Sequence, residues 1–79
     1  MNPNTATLAT DEEIKDIMDY HDWTDAQIKD GTAIRESLGA AMKLIINTVP
    51  PCLDRSTAIR KLREARMDCN SAITHNGKY

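Results

Sequence analysis

Pro50-Pro51 closes a stretch from Thr24 to Val49 that contains no proline and in which apolar side chains recur at helical spacing. Ile34, Leu38, Ala41, Ile45 and Thr48 follow one another at alternating steps of four and three, and Met42, Ile46 and Val49 widen the stripe. This pattern predicts one long helix with a broad apolar face. The paired prolines end it because they lack backbone donors and clash with the preceding turn. A helix of that length is a rod of roughly 36 Å at 1.5 Å per residue, long for so small a chain. Gly31 and Gly39 within it each cost about 1 kcal/mol relative to Ala, so something is expected to approach the backbone closely at both.

The start of that helix is signalled by Thr24-Asp25-Ala26-Gln27, in which a Thr hydroxyl and a Gln side chain three residues on can satisfy each other's backbone N–H groups. Thr10-Asp11-Glu12-Glu13 carries the same signature and predicts a short helix from about 11 to 20, with Ile14, Ile17 and Met18 on one face. After the prolines, Asp54 is the expected N-cap of a third helix. Ala58, Ile59, Leu62, Ala65, Cys69, Ala72 and Ile73 carry the helical period to about Thr74, and Asn76-Gly77 stops it. No segment has the period-two alternation of a strand. The expected fold is all-α: an antiparallel helical hairpin preceded by a short N-terminal helix, forming a single domain over residues 1–79.

A chain of 79 residues buries a limited share of its apolar surface. Two helices leave Met42, Leu44, Ile46 and Met67 uncovered in most registers, which predicts self-association into a homo-oligomer. Cys52 and Cys69 have neither CxxC nor disulfide-scaffold spacing, so a reducing, cytoplasmic setting is expected. Residues 1–9 are polar, with neither a signal-peptide pattern nor an apolar anchor, and are expected to be disordered.

The net charge of −2 conceals an asymmetry: residues 1–49 hold nine acids and four bases, residues 50–79 three acids and six bases. Arg55, Arg60, Lys61, Arg63 and Arg66 form the basic cluster, which reads first as a solvated helix face and second as a place for a small anion. The acidic balance argues against a long nucleic acid as partner.

Catalytic motifs are absent. There is no P-loop, GxGxxG, HExxH or GxSxG, and His21, His75, Cys52 and Cys69 lack the spacing of a zinc site. Neither enzyme activity nor a metal or other cofactor is expected. The only concentrated aromatic patch is Tyr20-His21-Asp22-Trp23. Trp23 directly precedes the Thr24 cap and can act as a hydrophobic staple. A Tyr20 ring can stack on a nucleobase, and a nearby Arg can pair with a phosphate through its planar fork.

Over residues 18–75 the chain resembles the anti-CBASS cyclic-nucleotide sponges of phages, whose hairpin domain is shared with the anti-Thoeris sponges. The resemblance is carried by Asp54-Arg55-Ser56-Thr57-Ala58-Ile59-Arg60-Lys61-Leu62-Arg63-Glu64-Ala65-Arg66-Met67, followed by Asn70, Ala72 and Ile73. Its second part is Tyr20-His21, a spacer containing Gln27, Ile34-Arg35 and then Pro50-Pro51. The chain departs from the family pattern at Asp68, where an aromatic residue often follows the Met. A negative charge there opposes a second anionic ligand nearby.

That resemblance implies a helical hairpin assembling into a compact oligomer, a hexamer in the anti-CBASS branch, which binds cyclic dinucleotides between subunits. It also implies a separate site for cyclic trinucleotides. The family's Tyr before the long helix and basic residue fifteen positions later fall on Tyr20 and Arg35, giving base stacking to the first and phosphate pairing to the second. His21 adjoins that site, and Lys61, Arg66, Asn70 and Thr74 are the residues suggested for the other. The function so implied is capture of cyclic oligonucleotide signals, without cleavage, in the host cytoplasm, blocking CBASS immunity. A small helical module that binds another protein is the competing expectation.

Overall fold

Three helices, and no strand, make up residues 10–79, which are the residues described by the structure, a computed structural model. They are α1 (Asp11–Met18), α2 (Asp25–Thr48) and α3 (Leu53–Thr74). The protein is thus all-α over these residues. The disorder expected of residues 1–9 lies outside the described residues, among which no helix is long and apolar enough to cross a membrane.

Both capping boxes form as the sequence predicts. Thr10 accepts from the Glu13 N–H at 3.1 Å while Glu13 accepts from the Thr10 N–H, and Thr24 and Gln27 repeat the exchange at 3.2 and 2.9 Å. The end of α1 comes two residues before the expected one, and the reason is local. In a longer helix the Asp16 carbonyl would accept from the N–H of Tyr20; here His21 Nε2 lies 2.6 Å from that oxygen and takes its place. Asp19 is extended, with its carboxylate on Lys15 at 2.6 Å.

At the far end of α2 the last helical N–H is that of Val49, bonded to Ile45 at 2.9 Å, and Pro50-Pro51 follows. The third helix begins earlier than expected. Cys52, not Asp54, is its N-cap, its thiol accepting from the Arg55 N–H at 3.4 Å. Asn76 and Gly77, with φ of 53° and 74°, end it. The Gly77 N–H reaches the Ala72 carbonyl and the Asn76 N–H that of Ile73, the two bonds of a Schellman stop.

The two long helices pack on each other. Gln27, at the start of α2, donates from Nε2 to the Ile73 carbonyl near the end of α3 at 2.8 Å. Arg55, at the start of α3, donates to the Val49 carbonyl that ends α2 at 3.2 Å. Their apolar stripes meet only partly. Ile34, Leu38, Ala41, Met42 and Ile45 on α2, and Ile59, Leu62, Ala65, Cys69 and Ile73 on α3, are half-buried. No hydrophobic side chain among the described residues is fully buried in the single chain. Leu44 (63% exposed), Ile46 and Met67 (61%) stand out as expected, whereas Met42 is half-covered. The expected apolar face of α1 is likewise uncovered: Ile14, Ile17 and Met18 are all exposed.

Gly31 is the only fully buried residue described. The Trp23 ring lies across it so closely that a Cβ at position 31 would overlap the indole. The approaching group is therefore an aromatic ring from the same chain. At Gly39 nothing comes within 4 Å of the Cβ position, so the close approach expected there is absent from the single chain.

Candidate functional site

Two concave regions hold most of the residues that the sequence singles out. The larger, about 860 Å³, lies where α1, the loop before α2 and the end of α3 converge, and its lining includes Tyr20, His21, Trp23, Ile28, Thr74 and His75. Trp23 and Thr74 hold it in shape. The indole N–H donates to the Thr74 hydroxyl at 2.7 Å, and that hydroxyl donates in turn to the Asn70 carbonyl at 2.8 Å. Thr74 Oγ1 thus spends its one proton on the backbone. Tyr20 is the reverse case, 88% exposed at the rim with its ring open to a partner.

A smaller groove of about 330 Å³ lies between the long helices. Arg35 and Gly39 of α2 face Arg63 and Arg66 of α3 across it, with Leu38, Met42 and Leu62 as its apolar floor. The arginines take no salt-bridge partner among the described residues. Arginines lining an apolar groove from two helices can turn their guanidinium groups to phosphate oxygens while the groove covers a flat ring. Arg63 is the member that sequence reasoning did not assign to a site. Its signal was a position three residues before Arg66, which puts both on one face of α3.

Tyr20 and Arg35 line different concavities of one chain. Arg35 sits ten residues into α2, about 15 Å along its axis from Asp25. His21 is held by its bond to the Asp16 carbonyl. Lys61 is exposed on α3, and Asn70 is half-buried beside the Thr74 hydroxyl.

Around the larger cleft the titratable groups form a connected set. Tyr79, brought back by the turn at Asn76-Gly77, donates its hydroxyl to Asp16 Oδ2 at 2.6 Å. That hydrogen bond, helped by Lys78 and by the nearby His21 and His75, holds the Asp16 carboxyl below its ordinary range against the opposing effect of desolvation. The same bond raises the Tyr79 phenol, because losing its proton beside a carboxylate is unfavourable. Lys78 is also raised, first by Tyr79 and then by Asp16.

The His21 and His75 rings meet edge to face at 5.2 Å between centroids, but Cys52 does not join them. Cys52 precedes α3 and His75 follows it, so the 22-residue helix, about 33 Å, separates them. Comparison with known proteins finds no matching family model, no matching curated protein and no matching solved structure.

Proposed function

We propose that this protein is a phage anti-defence sponge, which binds cyclic oligonucleotide second messengers and withholds them from host CBASS immunity without cleaving them. The observation that supports the reading is the groove lined by Arg35, Arg63 and Arg66 together with Leu38, Met42 and Leu62. It offers positive charge for phosphates beside apolar surface for bases. Cyclic dinucleotides are the first ligand, cyclic trinucleotides the second, and the host cytoplasm the setting.

The site is completed by a second subunit. Tyr20 is 88% exposed and does not share a concavity with its own Arg35, which supports stacking and phosphate pairing on one ligand by different copies. A two-fold interface would present each residue twice, matching the near two-fold symmetry of a cyclic dinucleotide. Nanomolar capture needs about −12 kcal/mol, which an exposed arginine contact does not supply and an enclosed, doubled site can. Antiparallel hairpins joined through Leu44, Ile46 and Met67 into a homo-oligomer, a hexamer in this reading, also cover the side chains that one chain leaves in water.

The double variant Tyr20→Ala/Arg35→Ala tests the assignment: it should keep the assembly of the parent and lose nucleotide capture. Unchanged capture overturns it. The competing function, a helical module that binds another protein, is favoured by the same exposed apolar residues, but it has no use for three arginines around one groove.

A further inference from the structure

The junction of α1 with the end of α3 carries a cluster that the capture of nucleotides does not explain. Asp16, His21 and His75 each direct a ligand-capable atom to one region, all within 4.8 Å of one another. We propose that these three residues form a site for one divalent transition-metal ion of the zinc or cobalt class, which fastens α1 to the end of α3. The inference is independent of the sponge reading.

Two imidazoles and a carboxylate suit such an ion, and three protein ligands leave a fourth position for water. His21 Nε2 lies 3.5 Å from Asp16 Oδ1, and His75 Nδ1 lies 3.9 Å from Asp16 Oδ2. Donors about 2.1 Å from a tetrahedral ion are about 3.4 Å apart, so both Asp16–His separations are near that spacing and the set, within 4.8 Å, closes modestly around an ion. Binding exchanges the bond between His21 Nε2 and the Asp16 carbonyl for a bond to the metal. The cleft lined by His21 and His75 gives an ion access.

His75 supplies the second observation. Its side chain is only 7% exposed, yet the imidazole makes no hydrogen bond with any described residue, and its Nδ1 faces Asp16. The ring is largely enclosed while its nitrogens stay accessible from the cleft, so Nδ1 is free to take a metal ion as its partner. The placement also gives the ion a purpose. Helix α1 has no close backbone packing with either long helix, so side chains from Asp16 to His21, His75, Lys78 and Tyr79 are what hold its end. A metal there adds binding energy to a weakly fastened element. Tyr79, bonded to Asp16, is the positioning residue that orients the ligand carboxylate. Lys78, 3.8 Å from the same carboxylate and largely exposed, competes with the ion and has room to swing away.

The test is calorimetric titration of the chelator-treated full chain with ZnCl2 and CoCl2, with visible absorption of the cobalt form and MgCl2 as control. The expected result is one zinc or cobalt ion per chain, cobalt ligand-field bands without a thiolate charge-transfer band, and no magnesium binding. His21→Ala and His75→Ala should each weaken zinc by more than about tenfold, and Tyr79→Phe by about tenfold. Helicity of each variant is checked by circular dichroism, and the cobalt spectrum of the parent stands whatever the variants do. Absence of saturable binding by the parent, a thiolate band, or undiminished affinity in both histidine variants overturns the proposal.

Discussion

The Trp23 indole donates to the Thr74 hydroxyl at 2.7 Å across 51 positions of sequence, and the same ring covers Gly31. One side chain thereby joins the loop before α2 to the end of α3 and fixes the wall of the larger cleft. Replacing Thr74 by Val removes the indole's acceptor and should lower stability by about 1 kcal/mol. Trp23→Ala loses the ring as well and should cost about 3 kcal/mol. Denaturant unfolding reads both at one fixed protein concentration, so that concentration does not enter the comparison.

Glycine replacements should have opposite effects at two positions of the same helix. Gly31→Ala forces the Trp23 ring from its seat and is expected to destabilise the chain, although Ala is the better helix former. Gly39 faces open space in the single chain, so there Ala should stabilise by about 1 kcal/mol. Thermal melts of the two variants beside the parent distinguish these signs.

The attachment of α1 should depend on Tyr79. Removing its hydroxyl in Tyr79→Phe breaks the 2.6 Å bond to Asp16, and no close helix packing takes over. Amide exchange in α1 should accelerate while exchange in α2 and α3 stays unchanged, as measured by hydrogen exchange with mass spectrometry.

Self-association should depend on side chains that the single chain leaves exposed. Leu44→Glu and Met67→Glu disturb little within the chain, being 63% and 61% exposed, but would place charge in an apolar interface. Light scattering after size exclusion should find the parent as an oligomer and both variants as smaller species. Parent protein eluting as a monomer contradicts the assembly.

The helices were legible because their signals are local. Capping boxes at Thr10 and Thr24, the proline pair and the Asn76-Gly77 stop each operate within a few residues, and each forms as read. Gly31 was legible as a place of close approach, though not the identity of Trp23 as the group that approaches. Two boundaries were missed for side-chain reasons. His21 takes the carbonyl that would have extended α1, and the Cys52 thiol caps α3 where a carboxylate two residues later looked the better acceptor. Long-range placement was not legible. Nothing local links Asp16 to His75 and Tyr79, which meet because α3 is long enough to return the chain to α1. The groove joins Arg35 to Arg66, residues that the resemblance divided between two sites, and adds Arg63.

The central claim is capture without chemistry. It is tested most directly by mixing the purified protein with a panel of cyclic di- and trinucleotides, filtering, then digesting the protein and separating the nucleotides by chromatography. The account predicts that a cyclic nucleotide disappears from the filtrate and returns intact after digestion; a filtrate from which nothing is depleted, or a nucleotide that returns cleaved, would contradict it.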